Sequence, residues 1–238
     1  MKGAMHVIIT GASRGLGKAL AEKFASNGHH LYLCSRSELA LYNTLEELML
    51  KYPEVTIKAK PFDLSLTEQA KAFASWILER GISADVLINN AGQFIPGNIY
   101  NEAEGVLEKM MTTNLYSAYH VTRPLLPAMM EKKNGHIFNI CSIASLQAYP
   151  NGGSYSISKY ALAGFSKNLR EELKEYGIKV TTVYSGAVYT DSWAGSGIDP
   201  QRIMDAKDIS EMVYAASQIS SRACVEEILL RPQLGDLP

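Results

Sequence analysis

Short runs of aliphatic and β-branched residues alternate along the chain with longer segments in which apolar residues recur at helical spacing. The runs at 6–10, 30–35, 55–59, 86–89, 136–141, 179–184 and 225–230 are predicted strands. The segments 17–27, 39–51, 66–80, 102–132, 158–176 and 208–219 are predicted helices. Repeated strand–helix–strand order implies right-handed crossovers and a mostly parallel sheet covered on both faces. The predicted fold class is therefore α/β, doubly wound, with about seven strands. No repeat, charge block or long Pro/Gly/Ser linker interrupts the alternation, so residues 1–238 are expected to form one domain. The least regular piece, 186–206, holds Trp193, Gly195, Gly197 and Pro200. It reads either as a short lid over a ligand or as a surface connection.

Composition narrows the function classes. With 47% hydrophobic and 20% charged residues in 238, the chain is ordinary for a soluble globular protein. No stretch approaches the roughly 18 apolar residues of a membrane span. A net charge of −1 provides no field to gather nucleic acid or an anionic membrane, and neither is expected as a partner. Cys34, Cys141 and Cys224 are far apart in apolar runs and are expected to be buried thiols, not a disulfide or a metal centre. None of the five histidines is placed as base or ligand, and the adjacent His29 and His30 are expected at the surface or a strand edge. The apolar stretch after Lys2 is too short for a secretory signal, which makes the cytoplasm the expected location.

The first predicted strand runs into Thr10-Gly11-Ala12-Ser13-Arg14-Gly15-Leu16-Gly17, and a helix follows. Glycines there let backbone approach a pyrophosphate, whose charge the free N–H groups and positive helix end can hold. A glycine cluster can also be a plain tight turn, but here both flanking elements are present, as in a Rossmann-type domain. About twenty residues on, where NAD-binding folds place an acid, the chain has Ser35-Arg36-Ser37. A carboxylate would repel a 2′-phosphate; the Arg36 guanidinium can pair with it, with Arg14 as a second charge, so NADP(H) is the expected cofactor. The alternative is that both arginines are solvated surface charges.

Asn89-Asn90-Ala91-Gly92 after the fourth strand, Ser142 after the fifth and Tyr155-Ser156-Ile157-Ser158-Lys159 complete the pattern. With the Gly-x-x-x-Gly-x-Gly turn, it resembles the short-chain dehydrogenase/reductase family over essentially the whole chain. Of thirteen tyrosines only Tyr155 has a lysine four residues on. Residues four apart on a helix share a face, so Lys159 is expected near the Tyr155 phenol, where its charge would stabilise the phenolate. Tyr155 would then protonate a carbonyl oxygen as hydride arrives from nicotinamide, while Ser142 hydrogen-bonds that oxygen.

The resemblance also implies that Lys159 binds the nicotinamide ribose and that Asn114 anchors a water in the proton relay. It assigns Asp63 to the adenine, Asn90 to the adenosine-side ribose, and Val188 and Thr190 to the carboxamide and phosphates. Leu16, Leu64, Ala91, Gly92 and Gly186 join them as cofactor contacts, beside Gly11, Ser13, Arg14, Gly15, Gly17, Ser35 and Arg36. Ser185 stands where the family usually has proline, which frees φ at that turn and is expected to loosen the nicotinamide pocket without abolishing it. The segment 186–195 and the tail 225–236 are similar to bacterial sepiapterin reductases and, less specifically, to reductases of short hydroxy acids and other small carbonyls.

The expected activity is NADPH-dependent reduction of a small carbonyl compound, with a pterin carbonyl as one candidate. The alternatives are an NADP-dependent dehydrogenase/reductase of a short hydroxy acid or oxoacyl substrate, or a non-catalytic dinucleotide sensor. A sensor has no need of the Tyr155–Lys159 pair. Trp193 is assigned either to the substrate wall or to the core. The stripe Leu162, Phe165, Leu169 and Leu173 fits a helix facing the sheet, and the resemblance implies a homodimer or homotetramer.

Overall fold

The computed structural model describes residues 3–190 and 197–237. Seven strands form one parallel sheet: β1 (His6–Thr10), β2 (His30–Ser35), β3 (Ile57–Pro61), β4 (Val86–Asn89), β5 (Gly135–Ile140), β6 (Ile178–Ser185) and β9 (Glu227–Leu230). Their order is β3-β2-β1-β4-β5-β6-β9, so the winding reverses between β1 and β4. In a doubly wound sheet, connections leave such a point in opposite directions and open a crevice at the carboxyl ends of the strands.

On one face α1 (Gly15–Ala25), α2 (Glu38–Lys51) and α7 (Ala206–Gln218) bury Leu20, Phe24, Leu41, Leu48, Ile209 and Val213 against Val7, Ile9, Leu31 and Leu33. On the other, α3 (Thr67–Leu78), α5 (Ser117–Lys132) and α6 (Gly153–Leu173) bury Phe73, Ile77, Val121, Leu125, Leu169 and Leu173 against Ile8, Leu87 and Ile137. Successive strand residues point to opposite faces, so a strand apolar at every position serves both cores. Each fully buried Leu or Phe contributes about 1.5–3 kcal/mol over its exposed state. Leu162, Leu169 and Leu173 are buried, so most of the α6 stripe is spent on packing within the chain.

Several boundaries differ from expectation. The predicted helix at 102–132 is broken: Gly105, at φ +82°, precedes α4 (Val106–Met111), and a π-helical turn at Thr112–Tyr116 joins α4 to α5. Helix α6, which carries Tyr155 and Lys159, starts at Gly153, five residues before the predicted start at 158. His29 is buried, contrary to expectation, because its ring packs against Phe24 and Tyr214 and its Nδ1 accepts from the Met5 N–H at 3.2 Å. Cys34 and Cys141 are buried, but Cys224 is only half-buried.

The 186–206 segment is closed at its base by a short parallel pair, β7 (Val188–Tyr189) with β8 (Met204–Asp205), and carries a 3₁₀ turn at Pro200–Arg202. Trp193 and Gly195 lie outside the described residues. Among the described residues no helix is long and apolar enough to cross a membrane, and no group of three or more His, Cys, Asp or Glu could hold a metal ion.

Candidate active site

The glycine turn sits at the carboxyl end of β1, beside the reversal. Gly11 and Gly15 have φ of +65° and +53°, a region that L side chains rarely adopt. A Cβ on Gly17 would lie 2.1 Å from the Gly11 carbonyl oxygen, so the helix can start this close to the turn only without a side chain there. Arg14, the residue before α1, makes no side-chain capping bond. The first N–H groups of α1 therefore retain their capacity for an anion.

Asn90 serves the turn itself: its Nδ2 donates to the Thr10 and Gly11 carbonyls, both at 3.0 Å. Thr10 Oγ1 in return accepts from the N–H groups of Asn90 and Ala91 at 3.0 and 2.9 Å. The Asn90 amide nitrogen thus holds β1 and β4 together at the turn. Thr190 reaches the same turn, its Cγ2 being 3.1 Å from where a Gly15 Cβ would stand.

Arg14 and Arg36 are exposed at this edge. Ser35 is buried at the end of β2 and donates to the Ser37 carbonyl at 3.2 Å, while Ser37 caps α2. Asp63 accepts from the N–H and hydroxyl of Ser65 at 3.1 and 2.7 Å, which fixes its carboxylate beside the β3 end. The Leu64 side chain is buried in the core beneath α3, leaving its backbone as the group at the edge. At the Ser185 turn, β6 pairs with β9 through Ser185, the Gly186 N–H donates to the Leu230 carbonyl at 2.8 Å, and Ser185 Oγ donates to the Gly186 carbonyl at 2.9 Å.

The second half of the site lies past β5. Lys159 is buried, and its Nζ donates to the Ile140 carbonyl at 2.8 Å and lies 5.8 Å from the centre of the Tyr155 ring. Gly92 closes over this amine, since a Cβ there would be 3.5 Å from Lys159 Nζ and 3.2 Å from Asn114 Oδ1. Asn114 is wholly buried in the π turn, a distortion often found at functional positions. Its Oδ1 accepts from the Gln93 N–H at 2.7 Å, and its Nδ2 donates to the Gln93 carbonyl at 3.0 Å and to Ser158 Oγ at 2.9 Å. The Asn114 side chain therefore pins the 92–93 loop to α6.

Ser142 follows β5, and its hydroxyl accepts from the Ala144 N–H at 3.2 Å. Burial raises the Tyr155 pKa above its ordinary 10, and the neighbouring Ser142 hydroxyl pulls it partly back. Burial lowers that of Lys159, opposed by the Cys141 thiol beside it.

Two aromatic residues at the site carried no signal in the sequence. Phe94 meets the Tyr155 ring edge-to-face, centroids 4.9 Å apart at 76°. The Tyr149 phenol is pushed up to about 12 by burial and by the neighbouring Tyr155. Both sit in irregular loops, where neither periodicity nor a motif marks a residue.

An anion cradle at one strand end and a group of a half-buried phenol, a buried amine and a buried hydroxyl two strands away suit a redox reaction between a dinucleotide and a hydroxyl or carbonyl carbon. The class so defined is a Rossmann-type oxidoreductase. The family model described as short chain dehydrogenase matches residues 5–200, and the chain belongs to that family. It is 32% identical over 240 residues to a sepiapterin reductase of Chlorobaculum tepidum, covering 97% of each protein. It is 38% identical over 192 residues to dehydrogenase/reductase SDR family member 7B of Xenopus laevis, covering 79% of this chain but 59% of that longer protein. Among solved structures, an alcohol dehydrogenase from the archaeon Thermococcus sibiricus, complexed with 5-hydroxy-NADP, superposes with a TM-score of 0.90 at 26% identity over 99% of both chains.

Proposed function

We propose that the protein reduces a small carbonyl compound to its alcohol with NADPH, and that a pterin bearing a side-chain carbonyl is the substrate class to try first. The observation that carries this reading is the convergence of Ser142, Tyr155 and Lys159 at the crevice that the glycine turn opens. The 5-hydroxy-NADP complex of the archaeal alcohol dehydrogenase and the near full-length likeness to a sepiapterin reductase support the cofactor and the substrate class.

The residues present fit the cofactor. Gly11, Gly15 and Gly17 leave room for a pyrophosphate at the uncapped start of α1, and Arg14 and Arg36 offer charge to a 2′-phosphate. When bound, the nicotinamide supplies a hydride to the carbonyl carbon. Ser142 holds the carbonyl oxygen by a hydrogen bond, and Tyr155 gives that oxygen its phenolic proton. A phenol whose pKa is raised by burial is protonated at neutral pH, the form that reduction requires. In this reading Lys159 meets a ribose hydroxyl and then favours the phenolate left behind. The active unit is proposed to be a cytoplasmic homodimer or homotetramer.

Tyr155→Phe should cut turnover about 10²–10⁴-fold, since general acid catalysis contributes on that order. Fluorescence titration should show NADPH binding unchanged. A panel of pterin, diketone, keto-acid and oxoacyl carbonyls, followed by NADPH loss, identifies the substrate on which to measure this. Near-normal turnover by Tyr155→Phe would overturn the assignment.

A further inference from the structure

The helix that carries Tyr155 and Lys159 begins without a cap of its own. Gly152 precedes α6 and has no side chain, and the first turn is Gly153, Ser154 and Tyr155. The missing cap comes from Glu102, about fifty residues earlier in the chain. One carboxylate oxygen accepts from the Ser154 N–H at 3.3 Å, and the other accepts from the Ser154 hydroxyl. A side-chain oxygen on the second N–H of a helix is the bond that an ordinary capping residue makes, and a carboxylate there also complements the helix dipole.

The surroundings are shaped for this contact. A Cβ on Gly153 would lie 2.5 Å from the Gly97 carbonyl oxygen and 2.8 Å from Glu102 Oε2, and one on Gly97 would lie 3.1 Å from Glu102 Cβ. The Gly97 N–H donates to the Asn151 carbonyl at 3.1 Å. Asn98 and Asn151 exchange two more bonds: Asn98 Nδ2 to Asn151 Oδ1 at 3.0 Å, and the Asn151 N–H to Asn98 Oδ1 at 2.9 Å. Asn151 holds φ +58°, a strained conformation for a residue with a side chain, which these bonds maintain. The loop so tied is the one that bears Gly92 over Lys159 and Phe94 against Tyr155.

We infer that Glu102 is a positioning residue for the reaction: by capping α6 from outside, it fixes the height and direction of the Tyr155 phenol relative to Ser142. This rests on Tyr155 being the acid. Displacing a reacting group by about 1 Å can cost as much as 10²-fold in rate without loss of the fold.

The experiment compares Glu102→Ala, Glu102→Gln, Ser154→Ala and Tyr155→Phe in steady state and in NADPH titration. Glu102→Ala should lower kcat by about tenfold to a hundredfold, with KM and NADPH affinity within about twofold of the unaltered protein. Glu102→Gln, which can still accept from the Ser154 N–H, should recover most of the loss. Ser154→Ala, which keeps the backbone bond but removes the hydroxyl one, should lower kcat about threefold to tenfold, less than Glu102→Ala. Unchanged kcat in Glu102→Ala, or a failure of Glu102→Gln to recover, overturns the inference. If Glu102→Ala does not fold, a normal kcat in Ser154→Ala overturns it instead. A Tyr155→Phe variant that stays active removes the underlying assignment; a dead Tyr155→Phe beside a normal Glu102→Ala removes only the role of Glu102.

Discussion

The two ends of the same parallel sheet are built to opposite rules. At the amino ends, polar side chains satisfy one another. Asp85 accepts from the His6 N–H at 2.9 Å, from Lys132 Nζ at 2.6 Å and from Asn134 Nδ2 at 3.3 Å, tying β1 and β4 to the segment that leads into β5. Beside it the His6 and His30 rings stand 5.5 Å apart, the Tyr32 phenol meets His6 Nδ1 at 3.3 Å, and His30 Nδ1 accepts from the Thr56 N–H. At the carboxyl ends the strands run out into glycines, an uncapped helix start and exposed arginines. Side-chain hydrogen bonds centred on Asp85 secure one edge, while the other keeps donors and charges for a ligand. Folding stability and cofactor chemistry can therefore be perturbed separately.

The sharpest way to break that comparison is to reverse a charge at the open edge. NADPH should bind at least about tenfold more tightly than NADH, since a charge-assisted bond to the 2′-phosphate is worth about 1.5–3 kcal/mol. Arg36→Asp should invert the preference and leave the melting temperature unchanged, because Arg36 is exposed. Equal affinities of the unaltered protein for the two cofactors, in a fluorescence titration, would remove the contrast between the edges.

A smaller effect belongs to the closed edge. Burial lowers the pKa of His6 and of His29; for His6 the nearby Asp85 opposes the shift while His30 and Lys132 add to it, and for His29 Asp85 opposes and His30 adds. As pH falls through about 6.5, the unfolded chain takes up protons at these rings while the folded chain does not yet. Their contribution to stability is thus full above that pH and is lost progressively below it. The urea midpoint should be level from pH 8 to about 7 and decline toward pH 5, a window set by these rings. A midpoint that stays flat down to pH 5 would show that they are not protected from protonation.

How far the sequence can be read follows the same division between local and distant causes. Strand β1 and strand β2 fall where their apolar runs predict, because a strand buried on both faces must be apolar throughout. Edge strand β3 is displaced by two residues: its exposed Lys58 and Lys60 alternate with inward residues and blur the run. The glycine turn, Ser142, Tyr155 and Lys159 are legible because their spacing is a motif on consecutive elements. The start of α6 is not legible, since its cap is Glu102, which no local pattern links to Ser154. The burial of His29 is hidden for the same reason, depending on Tyr214 from α7. The commitment of Asn90 and Asn114 to backbone groups of Thr10, Gly11 and Gln93 likewise appears only once the loops are in place.

The central claim is that hydride passes from NADPH to a carbonyl carbon while Tyr155 supplies the proton. NADPH carrying deuterium at the transferring nicotinamide C4 position tests it directly, with the best substrate from the carbonyl panel and mass spectrometry of the product. The account predicts one deuterium on the carbinol carbon of the alcohol, in ordinary water, with its formation suppressed in Tyr155→Phe. Product that carries no deuterium, or labelled alcohol formed at an undiminished rate by Tyr155→Phe, would contradict it.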